Sequence, residues 1–434
     1  MTQECPNCAG SLYFDPKLQM LTCRKCGSDF FPEDFMSEDE LNNYVENKDS
    51  GSSDIGEELQ NMLSEDFGTD PFMELDPNYE EEYVESRIFE CSQCGAQVVL
   101  NMTETSTFCI YCGCPTISFS SIEKVRKPKY IVPFIVTKEE AEQAIRDRIS
   151  KSKFVPKEMR EVKSDCLRGI YIPYWLTDID YDGIADLEIT TMKAKKSYGS
   201  DTAYIALDTE KVCKCGSCEL RRITTDASQS LPNHFSKTLE PYYTEGMKDF
   251  HPDYLLGFYS DVSNVSRKEG MEDALERAED IFDEEICRPL KKANNKVQCV
   301  SKTSNYKFLK CESAMLPAWF FTYRYNDTPY TIAVNGQTGK ITGAIPFNKK
   351  KAVIMAAGML IGFLAFFSIL IYSIVTTMSI SSASSDLMIL MIIPILGILL
   401  SVFGYARLKK VITRIKLSGS MFLQSYIKKR KGGM

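Results

Sequence analysis

Cys5-Pro-Asn-Cys8 is followed by fourteen residues and then Cys23-Arg-Lys-Cys26, and the arrangement returns as Cys91-Ser-Gln-Cys94 and Cys109-Ile-Tyr-Cys112 with the same interval. The two copies are offset by 86 residues. Zinc takes four thiolates in a tetrahedron at about 2.3 Å. Each Cys-x-x-Cys turn offers two sulfurs from one knuckle, and a β-hairpin of this length brings the second knuckle opposite the first. The hairpin strands are legible as Leu12-Tyr13-Phe14 with Leu18 to Thr22, and as Gln97 to Leu100 with Thr105 to Phe108. Gly27, Gly95 and Gly113 stand where a knuckle needs a permissive backbone. The pattern predicts two structural zinc ribbons, residues 1–32 and 89–120, ligated by Cys5, Cys8, Cys23, Cys26, Cys91, Cys94, Cys109 and Cys112. A redox motif would instead be a single pair opening a helix of a βαβ unit. So small a module has little core, so the metal supplies its folding energy, about 10–16 kcal/mol at neutral pH. With four cysteines on each ion no position remains for substrate, which argues against zinc catalysis. Cys114, two residues past the last ligand, is either a competitor for metal or a thiol beside the site.

The chain has 434 residues, enough for two or three domains, and sixteen cysteines. The first thirty residues hold four of those cysteines and no apolar leader, which favours a reducing compartment over a disulfide framework. The net charge of -8 conceals an asymmetry, because residues 1–347 carry a net of -19 and the remainder +11. An acidic body repels phosphate backbones, so nucleic acid is a poor expected partner.

Residues 33–88 read as an acidic, disordered linker; over 33–90 there are twenty acids against Lys48 and Arg87. Within it Asp54 can cap a short helix bearing Ile55, Leu59, Met62 and Leu63 on one face, either a transient helix or a motif that folds onto a partner.

Residues 128–347 read as an α+β body of two related halves, 128–260 and 261–347. Ile131-Val132-Pro133-Phe134 is a short strand, and a helix is predicted over 138–150. The stretch from Gly169 to Tyr181 alternates like a strand. A second, strongly amphipathic helix follows over 268–293, with Met271, Ala274, Leu275, Ala278, Ile281, Phe282 and Ile286 inward. Pro173-x-Trp175 and Pro317-x-Trp319, 144 residues apart, hold the chain's two tryptophans and mark matching core strands. Asn335-Gly-Gln-Thr-Gly-Lys340 lacks the spacing of a phosphate loop; Asn-Gly between alternating runs signals a hairpin turn. Cys213, Cys215 and Cys218 form a possible third metal site in need of a fourth ligand from His234, His251 or Cys166. Reduced loop cysteines are the other reading.

Ala352 to Ile380 is uncharged and apolar, and Leu387 to Ala406 repeats that character. Hydropathy therefore predicts a two-helix transmembrane hairpin over about 352–376 and 387–406. Lys349, Lys350 and Lys351 before it and Arg407, Lys409, Lys410, Arg414 and Lys416 after it place both termini in the cytoplasm, a multi-pass cell-membrane protein. The tail 407–434 is basic and suited to anionic lipid.

The motifs CPNC…CRKCG, CSQC…CIYCG, IVPF, GIYIPYWLTDIDYDG, TTDAS, MLPAWFFTYRY and NGQTGKITG resemble a bacterial family, the TFIIB-type zinc ribbon-containing membrane proteins, sometimes labelled primosomal PriA-like helicases. The resemblance covers nearly the whole chain, which departs from it at Cys114, at Cys213 to Cys218 and in the long acidic linker. It implies a membrane protein associated with envelope-stress scaffolds such as phage-shock protein A and SPFH-type proteins. A helicase activity finds no phosphate loop here. His234 and His251 stand in no catalytic constellation, and no small-molecule substrate is evident. The expectation is a non-enzymatic, membrane-anchored adaptor with two structural zinc ions, whose partners are the lipid bilayer and cytoplasmic or membrane-associated proteins. The alternative is a nucleic-acid-binding protein of replication or transcription. The first ribbon has only Lys17, Arg24 and Lys25 as basic residues and the second, from Cys91 to Cys112, has none, which disfavours that alternative.

Overall fold

The run Gly169 to Thr177 is buried on both faces, whereas from Tyr181 onward buried Tyr181, Ala185 and Leu187 alternate with exposed Asp182, Ile184 and Asp186. One strand therefore serves first as the centre of a sheet and then as a half-covered arm. A computed structural model places this strand among its neighbours. It describes residues 3–35, 81–99, 109–114, 117–151, 155–156, 166–196, 203–231, 233–291, 296–325, 328–343 and 345, with single positions between 354 and 376.

In chain order the strands begin with β1 (Leu12–Asp15), β2 (Met20–Cys23) and β3 (Asp29–Phe30), which form a small antiparallel sheet. Then come β4 (Tyr83–Cys91), β5 (Gln97–Val99), β6 (Ile117–Arg126), β7 (Tyr130–Ile131) and helix α1 (Lys138–Ser150). The long strands β8 (Leu167–Lys196) and β9 (Ala203–Asp226) precede α2 (Asn233–Leu239), β10 (Lys248–Asp249) and β11 (Tyr259–Asp261). Last are α3 (Arg267–Lys291), β12 (Lys296–Tyr325), β13 (Thr328–Asn335) and β14 (Ile341–Gly343). Strands β4 to β14 make one eleven-stranded sheet.

The body is organised about the antiparallel pair β8 and β12. Ile172 lies opposite Leu316, Pro173 opposite Met315 and Pro317 opposite Tyr171. Positions 144 residues apart are thus related by a pseudo-two-fold axis that passes between Ile172 and Leu316. The relation extends outward. Strand β7 runs parallel to β12 at Ala314 and Met315, as β11 runs parallel to β8 at Ile170 and Tyr171. Each short strand leads into a helix, α1 or α3. Ala227 donates its N–H to the Pro173 carbonyl (3.0 Å) and Gly336 donates to that of Pro317 (2.8 Å).

The helices close the two cores. Thr137 and Glu140 form a reciprocal capping box that starts α1, whose Ala141, Ile145 and Ile149 are buried with Phe134 and Tyr171. Helix α3 lays Met271, Ala274, Ala278 and Phe282 on the inner face of the arm, against Trp175, Tyr181 and Phe308. Gly183 lets the Phe282 ring lie on the strand, since a Cβ there would fall 2.4 Å from it.

Two expectations are corrected. The α+β body is predominantly β: among its described residues are eight strands, β7 to β14, and three α-helices. Stretches such as Lys296–Tyr306 lack the apolar runs that mark a strand in isolation, and become one by pairing with β8 along its length. The membrane hairpin over 352–376 and 387–406, and the multi-pass membrane localisation that rested on it, are not supported. Among the described residues no helix is long and apolar enough to cross a membrane. Of the first expected span only single positions such as Ile354, Phe366 and Tyr372 are described, and a span needs about twenty consecutive helical residues. The strand at Thr105–Phe108, the helix beginning at Asp54, the second expected span and the tail 407–434 lie outside the described residues.

Candidate metal centres

Four tight turns build the two centres, and all four have the same backbone. In each, the residue after the second cysteine donates its N–H to the carbonyl of the first: Ala9 to Cys5 (2.8 Å), Gly27 to Cys23 (2.9 Å), Gly95 to Cys91 (2.8 Å) and Gly113 to Cys109 (2.8 Å). The first cysteine's own N–H bonds five residues ahead, to Gly10, Ser28, Ala96 and Cys114 at 2.7–3.0 Å. Closing the turn this way requires a left-handed residue, and φ is 53° at Ala9, 71° at Gly27, 63° at Gly95 and 67° at Gly113.

The turns bring the sulfurs together in two groups, Cys5, Cys8, Cys23 and Cys26, and Cys91, Cys94, Cys109 and Cys112, each with all sulfurs within 4.8 Å of one another. Across the knuckles Cys5 lies 3.6 Å from Cys26, Cys8 3.5 Å from Cys23, Cys91 3.6 Å from Cys112 and Cys94 3.6 Å from Cys109. A tetrahedral ion with bonds of about 2.3 Å sets its sulfurs roughly 3.8 Å apart. Both groups therefore fit zinc by spacing and by donor type.

The surroundings of the two differ. In the first, Cys26 is exposed and its sulfur lies 3.2 Å from the Ser28 hydroxyl, which with the Ser28 N–H lowers the thiol pKa to about 6. Cys8, hydrogen-bonded to Cys26, is raised to about 12. In the second group all four cysteines are buried, and thiol hydrogen bonds from Cys109 and Cys112 push Cys91 down. Four thiolates on a divalent ion leave a net charge of minus two. The countercharge nearby in the first centre is Lys25, whose ammonium donates to the Cys8 carbonyl (3.3 Å). In the second it is Arg324 of β12, which donates to the sulfur of buried Cys114.

Both modules are welded to the body. The Phe14 N–H donates to the Leu256 carbonyl (3.0 Å), Gln19 donates to that of Phe134 (2.6 Å), and the Phe14 and Tyr254 rings lie 5.1 Å apart. The second module is part of the large sheet through β4 and β5. The Tyr111 ring meets Phe320 at 5.9 Å, and the Thr322 hydroxyl donates to the Ile110 carbonyl. Arg324 and Thr322 escape sequence reasoning because they lie more than two hundred residues from the knuckle. Cys114 was the one local signal of that contact.

The three cysteines of β9 do not converge. Strand alternation puts Cys213, opposite Asp186, and Cys215, opposite Ile184, on the open face, while Cys218, opposite Tyr181, packs toward α3. Among the described residues no third metal-binding group forms. Of the proposed fourth ligands, His251 is buried with Nδ1 3.3 Å from Asp253, Cys166 packs beside the first core, and His234 lies in α2.

The fold and its sites define a predominantly β protein with two four-cysteine groups that could hold metal ions, zinc fitting both. The chain is similar to the uncharacterized protein YdjG of Bacillus subtilis (strain 168), 27% identical over 235 residues, 54% of this chain and 67% of that protein. No protein-family description matches the chain, and no solved structure matches it.

Proposed function

We propose that the chain is a non-catalytic, metal-braced adaptor whose β body presents a binding surface to a partner protein. The observation that carries this reading is the ligand set: each centre commits four protein thiolates and leaves no coordination position for a substrate. The arm formed by β8, β9 and β12 supplies a surface. Its face away from α3 exposes Ile184, and Leu207, opposite Met192, falls on that face by alternation. Asp182 and Asp186 flank Ile184. Apolar residues set among carboxylates complement a partner that pairs apolar side chains with basic ones. The acidic balance of residues 1–347 counts against nucleic acid.

A photo-crosslinking residue at Ile184 in the full chain tests the reading. A discrete adduct with one polypeptide is expected, lost in Leu207→Asp at unchanged metal content. Absence of any adduct, or tight, salt-dependent retention of DNA or RNA in a filter assay, contradicts it.

A further inference from the structure

Between the first metal module and the body lies a cavity of about 690 Å³, within the range of small-molecule sites. Three cations line it from three separate parts of the chain: Arg24 from the second knuckle, Lys138 from the first turn of α1, and Arg168 from β8. Aromatic walls stand between them, notably Tyr13, Phe258 and Trp319. Two carboxylates also line the cavity. Asp15 accepts the N–H groups of Lys17 (2.8 Å) and Leu18 (3.3 Å), and Glu139 lies in the first turn of α1. Among the described residues no carboxylate pairs with Arg24, Lys138 or Arg168. The Arg168 Nε is buried with no hydrogen-bond partner, although its Nη1 donates to the Leu167 carbonyl (3.1 Å). Arg168 as a whole is half-buried, and a buried donor such as its Nε left unpaired is rare in proteins. The Arg24 guanidinium lies over Tyr13, 4.9 Å from the ring centre, which orients the cation in the cavity lining. Helix α1 brings Lys138 and Glu139 to the lining, and its capping box engages the N–H groups of Thr137 and Glu140.

We infer that this cavity binds a small organic anion: a carboxylate, phosphate or sulfonate group joined to a ring-sized apolar portion. The acidic group pairs with Arg168 and Arg24, and the apolar portion lies against the Tyr13, Phe258 and Trp319 rings. Because Arg24 sits between two ligands of the first centre, the metal there holds one wall of the site. Ligand affinity and metal occupancy at that centre are therefore linked, each raising the other.

The probe is anilinonaphthalenesulfonate, followed by fluorescence on the full, metal-loaded chain, with the neutral dye phenylnaphthylamine as control. Saturable binding of one sulfonate dye per chain is expected. Arg168→Gln and Arg24→Gln each weaken it about tenfold or more, the loss of one charge-assisted contact, and leave the neutral dye within about twofold. Benzoate displaces the dye at lower concentration than inorganic phosphate does, and Cys26→Ser, which releases the first metal, abolishes binding. Sulfonate binding unchanged by both arginine variants, or the neutral dye lost in parallel with it, overturns the anion site. Phosphate competing better than benzoate overturns the apolar half of the assignment. Full binding in Cys26→Ser overturns the dependence on metal.

Discussion

Trp175 and Trp319 each bond across the pseudo-two-fold axis: the Trp175 indole N–H donates to the Val265 carbonyl (3.3 Å) and that of Trp319 to Val136 (2.8 Å). Each tryptophan belongs to one half and ties down the connection into the helix of the other. The same two connections are held a second time. Asn264 and Val265 donate to Ala227 at 3.0 and 3.1 Å, and Ile135 and Val136 donate to Gly336 at 2.9 and 2.8 Å. Neither half completes its own helix junction.

A consequence concerns Gly270 in α3. Replacing a helical glycine by alanine ordinarily stabilises by about 1 kcal/mol. Here a Cβ would fall 2.3 Å from Cδ1 of Trp175, with the indole held in place by its hydrogen bond. Gly270→Ala is expected to destabilise by about 1–3 kcal/mol in urea unfolding. A stabilised variant would mean that the indole is free to move.

Ala9 occupies a left-handed position that glycine fills in the other three knuckles. A left-handed alanine costs about 1–2 kcal/mol, offset in part by the extra unfolded-state entropy of glycine. Ala9→Gly should therefore tighten metal binding at the first centre by a few-fold in competition with a chelating dye. Weaker binding would contradict the strain.

The two centres should fail differently. The second lies within the main sheet and is wholly buried, so Cys91→Ser should abolish the cooperative thermal transition. The first is peripheral, with Cys26 exposed, so Cys26→Ser should lose one metal and keep that transition. Near-ultraviolet circular dichroism with metal analysis decides between them. Equal collapse of both variants would contradict the distinction.

Asp226 and Asn335 are pseudo-symmetric partners, opposite Tyr174 and Ala318 and each accepting the N–H two residues on. Burial raises the Asp226 pKa to about 7, with Asp261 nearby adding to the rise. A raised carboxylate pKa means the native state holds a proton that the unfolded state has lost. The contribution to stability is full below pH of about 4, declines as pH rises and is gone above about 7. Asp226→Asn should remove that decline and gain relative to the parent chain between pH 5 and pH 8. A constant difference between the two chains across that range would refute the assignment.

Part of this was legible in the residues. Cys-x-x-Cys spacing is local geometry, so both ligand sets could be read directly, and the identical Pro-x-Trp triplets pointed to the two strands that meet at the axis. The rest depends on contacts distant in sequence. The strand conformation of Lys296–Tyr306 comes from β8, and the alternation that separates Cys218 from Cys213 and Cys215 appears only once β9 is known to be extended through the cluster. The spans that hydropathy predicts over 352–376 and 387–406 fall almost wholly outside the described residues. The anion cavity draws Arg24, Lys138 and Arg168 from segments with no shared motif.

The central claim is that each four-cysteine group holds one zinc ion through sulfur alone. X-ray absorption at the zinc edge, with metal analysis of the full chain, tests it most directly. Two zinc ions per chain and a shell of four sulfurs at about 2.3 Å are expected. Fewer than two ions, or nitrogen or oxygen in the averaged shell, would contradict it.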